Sequence, residues 1–126
     1  VEGQSVRRGE VYDAVLGEVT EAWGSEQAGF RPVVVVSRDA INTASSVVVV
    51  VPCTTYREGR RVYPSQVRLA AGDGGLDAES LIMAEQVRAI SKRRLRRLRG
   101  RIPDHSLGEL QKALSITLDL PGRTAD

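Results

Sequence analysis

The sequence predicts a mainly β fold: five to seven short strands in a small curved sheet or barrel, with one amphipathic helix near the C-terminal end. Three observations carry this. The run "VVVVVPCTT", Val47 to Thr55, joins five β-branched residues without alternation, the pattern of an extended segment covered on both faces. Short apolar stretches recur along the chain between glycine-rich or charged connectors. Near the end, Leu107, Leu110, Leu114 and Leu118 follow one another at helical spacing, with Asp104 or Ser106 as the expected N-cap and Pro121 and Gly122 beyond the last turn.

Taken in order, "RRGEVYDAVL" from Arg7 to Leu16 is an opening strand that sets Val11, Asp13 and Val15 against Tyr12, Ala14 and Leu16. Leu16 to Phe30 holds Gly17, Gly24 and Gly29 and no apolar period, so it reads as a long loop of the kind that carries function. "RPVVVVS", Arg31 to Ser37, is a second buried strand, and "RDAINTASS" a short helical turn. Pro52 cannot donate to a ladder, so pairing of the valine strand is expected to break there, leaving Thr54 and Thr55 mounted on the sheet edge. "YREGRRVYP" is a charged loop, "SQVRLA" a strand with Val67 and Leu69 on one face, and "AGDGGL" a hairpin connector. The glycines of that connector do not fit a phosphate-binding G-x-G-x-x-G. "SLIMAEQVRAIS" supplies one or two more strands; "KRRLRRLRG" is open between a helical turn and a strand hairpin. The residues after Leu120 read as a loose tail.

A chain of 126 residues fits one domain, 1–126, with its core at about 7–120. Cys53 is the only cysteine and His105 the only histidine, which excludes an internal disulfide framework and a four-ligand Cys/His zinc site. No stretch approaches the roughly 18 apolar residues of a membrane span, and "VEGQSVRRGE" lacks the apolar centre of a signal peptide. A cytoplasmic protein with no membrane association is the expectation. Basicity is local: Lys92, Arg93, Arg94, Arg96, Arg97, Arg99 and Arg101 fall within one decapeptide, and without them the small positive net charge turns negative. Such a block suits phosphate backbones or an acidic partner; a solvated face is the plainer reading. His105, at the start of the helix, reads as a surface or capping residue.

Residues 7–120 resemble a known family. "RRGEVYDA", "GSEQAGFRPVVVVS", "VVPCTT", "YPSQVRL" and "SLIMAEQVRAIS" stand in the order and spacing of the MazF/PemK mRNA interferase toxins. The resemblance implies an SH3-like, CcdB/PemK-type barrel, a homodimer, cleavage of single-stranded RNA without metal or other cofactor, and neutralisation by a cognate antitoxin. It aligns Arg31 and Thr54 with the family's catalytic arginine and threonine. By position alone Arg31 would read as a surface salt bridge and Thr54 as a turn residue beside Pro52. The arginine-rich block is a departure from the family's pattern.

The chemistry is consistent with that resemblance. An RNA 2′-OH can attack the neighbouring phosphate in line, leaving a 2′,3′-cyclic phosphate and a 5′-OH, so the protein has to position the backbone, stabilise the phosphorane and assist proton transfer. The Arg31 guanidinium suits bidentate phosphorane stabilisation, and the Thr54 hydroxyl a donor role. Glu26 is a candidate to take the 2′-OH proton or to accept hydrogen bonds from a base; the two roles stay open. Ser25, Glu85 and Gln86 carry groups suited to reading exposed base edges. Gln27, Thr55 and Arg88, within the same matching motifs, complete the expected RNA contacts. Trp23, Phe30 and Tyr56 are candidates to stack bases, with at least one expected in the core or an interface. The same fold serves CcdB-like gyrase poisons that cleave nothing, which is the alternative reading.

Overall fold

The computed structural model describes residues 5–17, 23–24 and 27–121. Seven strands, β1 (Glu10–Val15), β2 (Phe30–Val35), β3 (Val47–Thr55), β4 (Gln66–Leu69), β5 (Ser80–Met83), β6 (Arg88–Ser91) and β7 (Leu95–Arg101), pair antiparallel throughout. Their order is β4-β5-β3-β2-β1-β7, with β6 beside β3. Helix α1 (Asp39–Ala44) links β2 to β3, and α2 (Asp104–Leu118) follows β7.

Residues of alternate parity enter two different cores, which is why the valine runs do not alternate. Val11, Val34, Val51 and Cys53 join Val67, Ile82 and Ile102 in one cluster, closed by Leu110 and Ala113 of α2. Tyr12, Ala14, Val33, Val35, Val48 and Val50 join Ile90 and Leu95 in the other. Both faces of β1, β2 and β3 are therefore covered, and these strands form a rigid centre. Tyr12 is held in the second cluster with its hydroxyl donating to Glu10 Oε1 at 3.1 Å, and burial raises its ionisation well above the ordinary phenol range.

β3 changes partner along one edge. Val47–Val50 pair with β6 and Cys53–Thr55 with β5, while Val50, Val51 and Pro52 pair with β2 on the other edge. The expected break at Pro52 is thus confined to one edge. The strand itself runs through the proline, because the missing N–H falls where one neighbour hands over to the next.

Other sequence expectations need similar adjustment. Phe30 belongs to β2 rather than to the preceding loop. The N-cap position of α2 is Pro103, at φ −60° and ψ 153°, in place of Asp104 or Ser106. Proline fixes the extended entry to the helix, and Asp104 begins its first turn, accepting from Arg101 Nη1 at 2.9 Å. Leu107 and Leu114 pack partly against the first core, but Leu118 in the last turn is exposed. "KRRLRRLRG" opens with a helical turn and makes no hairpin of its own: Lys92–Arg94 form a 3₁₀ turn, capped by Ser91 Oγ accepting from the Arg93 N–H at 3.2 Å, and Leu95 then opens β7 against β1.

The "AGDGGL" connector joins β4 to β5 and also does more. Its 3₁₀ turn, Asp73–Gly75, lies against β7 so closely that a Cβ at Gly75 would stand 2.0 Å from the Arg99 carbonyl oxygen, at a φ of +75° that favours glycine. Arg99 secures this approach. Its Nη1 pairs with Asp13 Oδ1 at 3.1 Å and its Nη2 donates to the Gly75 carbonyl at 3.1 Å, with both charged side chains largely buried. β1, β7 and the connector are tied at one point.

Candidate functional site

The β2–β3 ladder ends at Val33 and Pro52. Continuing its register two residues further sets Arg31 across from Thr54, with no paired backbone between them. In this split lies an open hollow of about 250 Å³, lined by Phe30, Arg31 and Pro32 from β2, Thr54 and Thr55 from β3, and Asp77 and Ser80 from the segment after the glycine turn. Arg31 shares the parity of Val33 and Val35, and Thr54 that of Val48 and Val50, so the two side chains leave the sheet on the same face.

Each is held differently. Arg31 is half-buried, and its Nε donates to the Ala28 carbonyl at 3.3 Å, which leaves the terminal nitrogens of the guanidinium as donors. Thr54 stands opposite Leu81 and Thr55 opposite Ser80, so β5 braces the hydroxyl-bearing end of β3 from the other side. Beyond Thr55, the Tyr56 N–H donates to the Glu79 carbonyl at 2.8 Å. Arg31 and Thr54 thus border the hollow from neighbouring strands, bringing a guanidinium and a hydroxyl to its rim, an arrangement suited to an anionic group.

The long loop meets this site through its neck. Leu16 N–H donates to Gly29 O at 2.8 Å and Gly29 N–H to Gly17 O at 2.9 Å, closing the two ends on each other. Arg88 Nη1 reaches the carbonyls of Leu16 and Gln27, each at 3.5 Å, and Arg94 Nη1 donates to Val15 O at 3.1 Å. Among the described residues, Gln27 Oε1 is buried beside this neck without a hydrogen-bond partner. Ser25 and Glu26 lie outside the described residues. Trp23 is 81% exposed and Phe30 63% exposed, whereas the Tyr56 ring is covered by the Arg68 guanidinium at 4.0 Å.

Glu85 and Gln86 fall elsewhere. They sit in the 3₁₀ turn Ala84–Gln86 at the far end of β5 from Ser80, and the Glu85 carboxylate accepts from Ser65 Oγ at 3.1 Å and Gln66 Nε2 at 2.8 Å. Neither lines the hollow. His105 is exposed on the first turn of α2. Among the described residues no group of three or more His, Cys, Asp or Glu side chains is placed to hold a metal ion, and no helix is long and apolar enough to cross a membrane.

Sequence reasoning did not find the wall of the hollow. Asp77 and Ser80 enter it because the glycine turn is pinned to β7 by Arg99, a contact with no local sequence signal beyond the clustered glycines.

A family model described as the PemK-like, MazF-like toxin of the type II toxin–antitoxin system matches residues 7–118. The chain belongs to this toxin family. It is 39% identical over 120 residues to the endoribonuclease MazF9 of Mycobacterium tuberculosis, covering 91% of this chain and 98% of that one. An endoribonuclease of a mycobacterial species, solved in complex with its cognate antitoxin, is 28% identical with a TM-score of 0.74, covering 92% of this chain and 97% of its own. MazF of Deinococcus radiodurans is 25% identical, also at a TM-score of 0.74, with 93% and 99% covered. The mainly β sheet of seven strands with a C-terminal helix is thus the fold of the MazF toxins, and the hollow occupies one end of its central strand pair.

Proposed function

We infer that this chain is an endoribonuclease toxin that cleaves single-stranded mRNA at the hollow between β2 and β3. The observation that carries the reading is the placement of Arg31 and Thr54 on the two sides of that hollow, at the end of a strand pair buried on both faces. The relative MazF9, an endoribonuclease, supports it.

In the proposed reaction the ribose 2′-oxygen attacks the adjacent phosphorus and the P–O5′ bond breaks, giving a 2′,3′-cyclic phosphate and a 5′-OH. The proton lost from the 2′-OH passes to a base, for which Glu26 is the candidate on sequence grounds, and the leaving 5′-oxygen gains one. Arg31 would neutralise the charge gathering on the non-bridging oxygens through two parallel N–H donors, and the Thr54 hydroxyl would donate to one of them. Charge stabilisation falls to these two groups, so the reaction needs no metal ion. Thr55, exposed beside Thr54, would contact RNA next to it; Arg88, half-buried at the loop neck, and Ser25 and Gln27 of the loop are the further RNA contacts this reading expects.

The toxin acts as a homodimer in the cytoplasm and is neutralised by a cognate antitoxin whose acidic, disordered tail competes for the same basic surface. The mycobacterial relative solved with its antitoxin supports that last point.

The test is incubation of the purified protein with single-stranded RNA in EDTA, followed by analysis of the ends. Cyclic-phosphate and 5′-OH termini are expected, and they should vanish in Arg31→Ala. Cleavage that requires Mg²⁺, cleavage that survives Arg31→Ala, or inhibition of DNA gyrase with the RNA left intact would each overturn the reading.

A further inference from the structure

The hollow has two kinds of wall. Arg31 and Thr54 border it with side chains that leave the sheet on the face of the second core. Phe30 and Pro32 share the parity of Val34, and Cys53 and Thr55 that of Val51, so these four belong to the face of the first core, where Leu76 is also buried. A volume of about 250 Å³ is roughly eight times a water molecule's share of the liquid, more room than one phosphate takes. Phe30, largely exposed, adds an aromatic ring to the apolar lining.

Asp77 is the carboxylate in this lining. A carboxylate repels phosphate, so it calls for a different partner. Its backbone is held on both sides. Upstream, the Gly72 N–H donates to the Leu76 carbonyl at 2.7 Å and Arg99 Nη2 to that of Gly75 at 3.1 Å. Downstream, Ser80 Oγ donates to the Ala78 carbonyl at 2.9 Å, the Tyr56 N–H to that of Glu79, and Arg68 engages the Glu79 carboxylate at 2.8 Å.

The Asp77 side chain is not engaged in the same way. It is fully exposed, accepts no hydrogen bond among the described residues, and stands 3.8 Å from an Arg99 guanidinium that Asp13 already pairs at 3.1 Å. So long and exposed an ion pair contributes little to stability. A free carboxylate on a fixed support, beside an aromatic ring, is the construction of a recognition element.

We propose that Asp77 selects the base of a nucleotide flanking the cleaved bond, accepting from its exocyclic amino group while Phe30 stacks on the ring, a role that rests on the endoribonuclease reading. Adenine, cytosine and guanine each carry an amino donor on the edge that single-stranded RNA exposes. Uracil carries carbonyl oxygens there, which an acceptor-only carboxylate repels. A nucleotide whose phosphate meets Arg31 and Thr54 at the rim carries its base one sugar away, within reach of the lining on the other face of the split.

The experiment maps the cut that the full chain makes in a long single-stranded RNA, then measures kcat/KM on short oligonucleotides spanning it. At each flanking nucleotide the natural base is compared with an analogue that has hydrogen in place of the amino group, such as inosine for guanosine or purine riboside for adenosine. Wild type should lose about 10- to 100-fold at one of these positions. Asp77→Ala should cut the amino-bearing and amino-free substrates equally well. Asp77→Asn, whose amide also donates, should newly accept uridine there, and both variants should melt as wild type does. Uracil on both sides of the mapped cut, a wild-type chain indifferent to the amino group, or an Asp77→Ala variant that slows every substrate alike with its discrimination intact would each overturn the proposal. Failure of the wild-type chain to cut any RNA would instead sink the endoribonuclease reading, so the two failures are distinguishable.

Discussion

The two ends of β3 share one backbone and differ in what surrounds them. Val48 and Val50 lie wholly buried, in a stretch paired to β6. Thr54 and Thr55, six residues on from Val48 and from Val49, are paired only to β5, because β2 has left the ladder at Val33. The first end is a mount and the second is an opening. A strand pair that is closed at one end and parted at the other brings two polar side chains to the rim of one hollow without burying them.

The sharpest way to break this comparison is to remove the polar groups from the open end. Arg31→Ala should lower kcat/KM by about 100- to 1,000-fold, the range seen when one transition-state donor is deleted, with thermal melting close to that of wild type. Thr54→Val, nearly isosteric, should act in the same direction and by less, since a neutral donor contributes less than a charged one. A comparable loss of melting temperature in either variant would mean that the open end also serves as structure.

Asp13 tests whether the wall of the hollow is an independent part. The Asp13–Arg99 pair is largely buried, so Asp13→Asn leaves the guanidinium only the exposed Asp77 carboxylate at 3.8 Å as a countercharge and should reduce stability by about 3 kcal/mol in urea unfolding. Activity should fall as well, because the same guanidinium holds the Gly75 carbonyl next to the segment that supplies Asp77. Val50→Ala, at the closed end, should reduce stability by about 2 kcal/mol through lost apolar contact, and kcat should follow wild type. If Val50→Ala slowed the chemistry as Arg31→Ala does, the division between mount and opening would be wrong.

Much of this division could be read from the residues, and the reasons are physical. Runs such as Val33–Val36 and Val47–Val51 leave a stiff, doubly covered strand as the only economical conformation, and the leucine spacing of α2 is equally direct. What drew attention to Arg31 and Thr54 was the family resemblance carried by the motifs around them, "GFRP" and "PCTT", rather than any property of an isolated arginine or threonine. The fate of residues 92–101 was not legible. Arginine has no strong bias toward strand or turn, and what decided the matter was pairing with β1, some 80 residues away in sequence. Asp13 looked like the polar member of an alternating strand, yet it is buried, because its partner comes from that distant block. Glu85 offered a base-reading carboxylate on composition, whereas Ser65 and Gln66, on the neighbouring strand and its approach, already engage it.

Cys53 sits at the boundary between the two regimes and gives the smallest and finest test. It contributes to the lining of the hollow, yet the residue is fully buried in the first core, and burial pushes its thiol up to about 12 from an ordinary 9.0. Below pH 9 the thiol is protonated in folded and unfolded chains alike, so it adds no pH dependence. As pH rises past that point the unfolded chain loses the proton while the folded chain keeps it, and the unfolded state is favoured by about 1.4 kcal/mol for each further pH unit until the folded thiol also ionises. Stability present below pH 9 is therefore lost progressively toward pH 12. Cys53→Ala should remove this component, so that urea unfolding between pH 9 and 11 shows a shallower decline in the variant than in wild type, the contribution of Tyr12 being common to both. Equal slopes would mean that the thiol reaches solvent through the hollow, and the opening would then extend into the part of β3 assigned here to the mount.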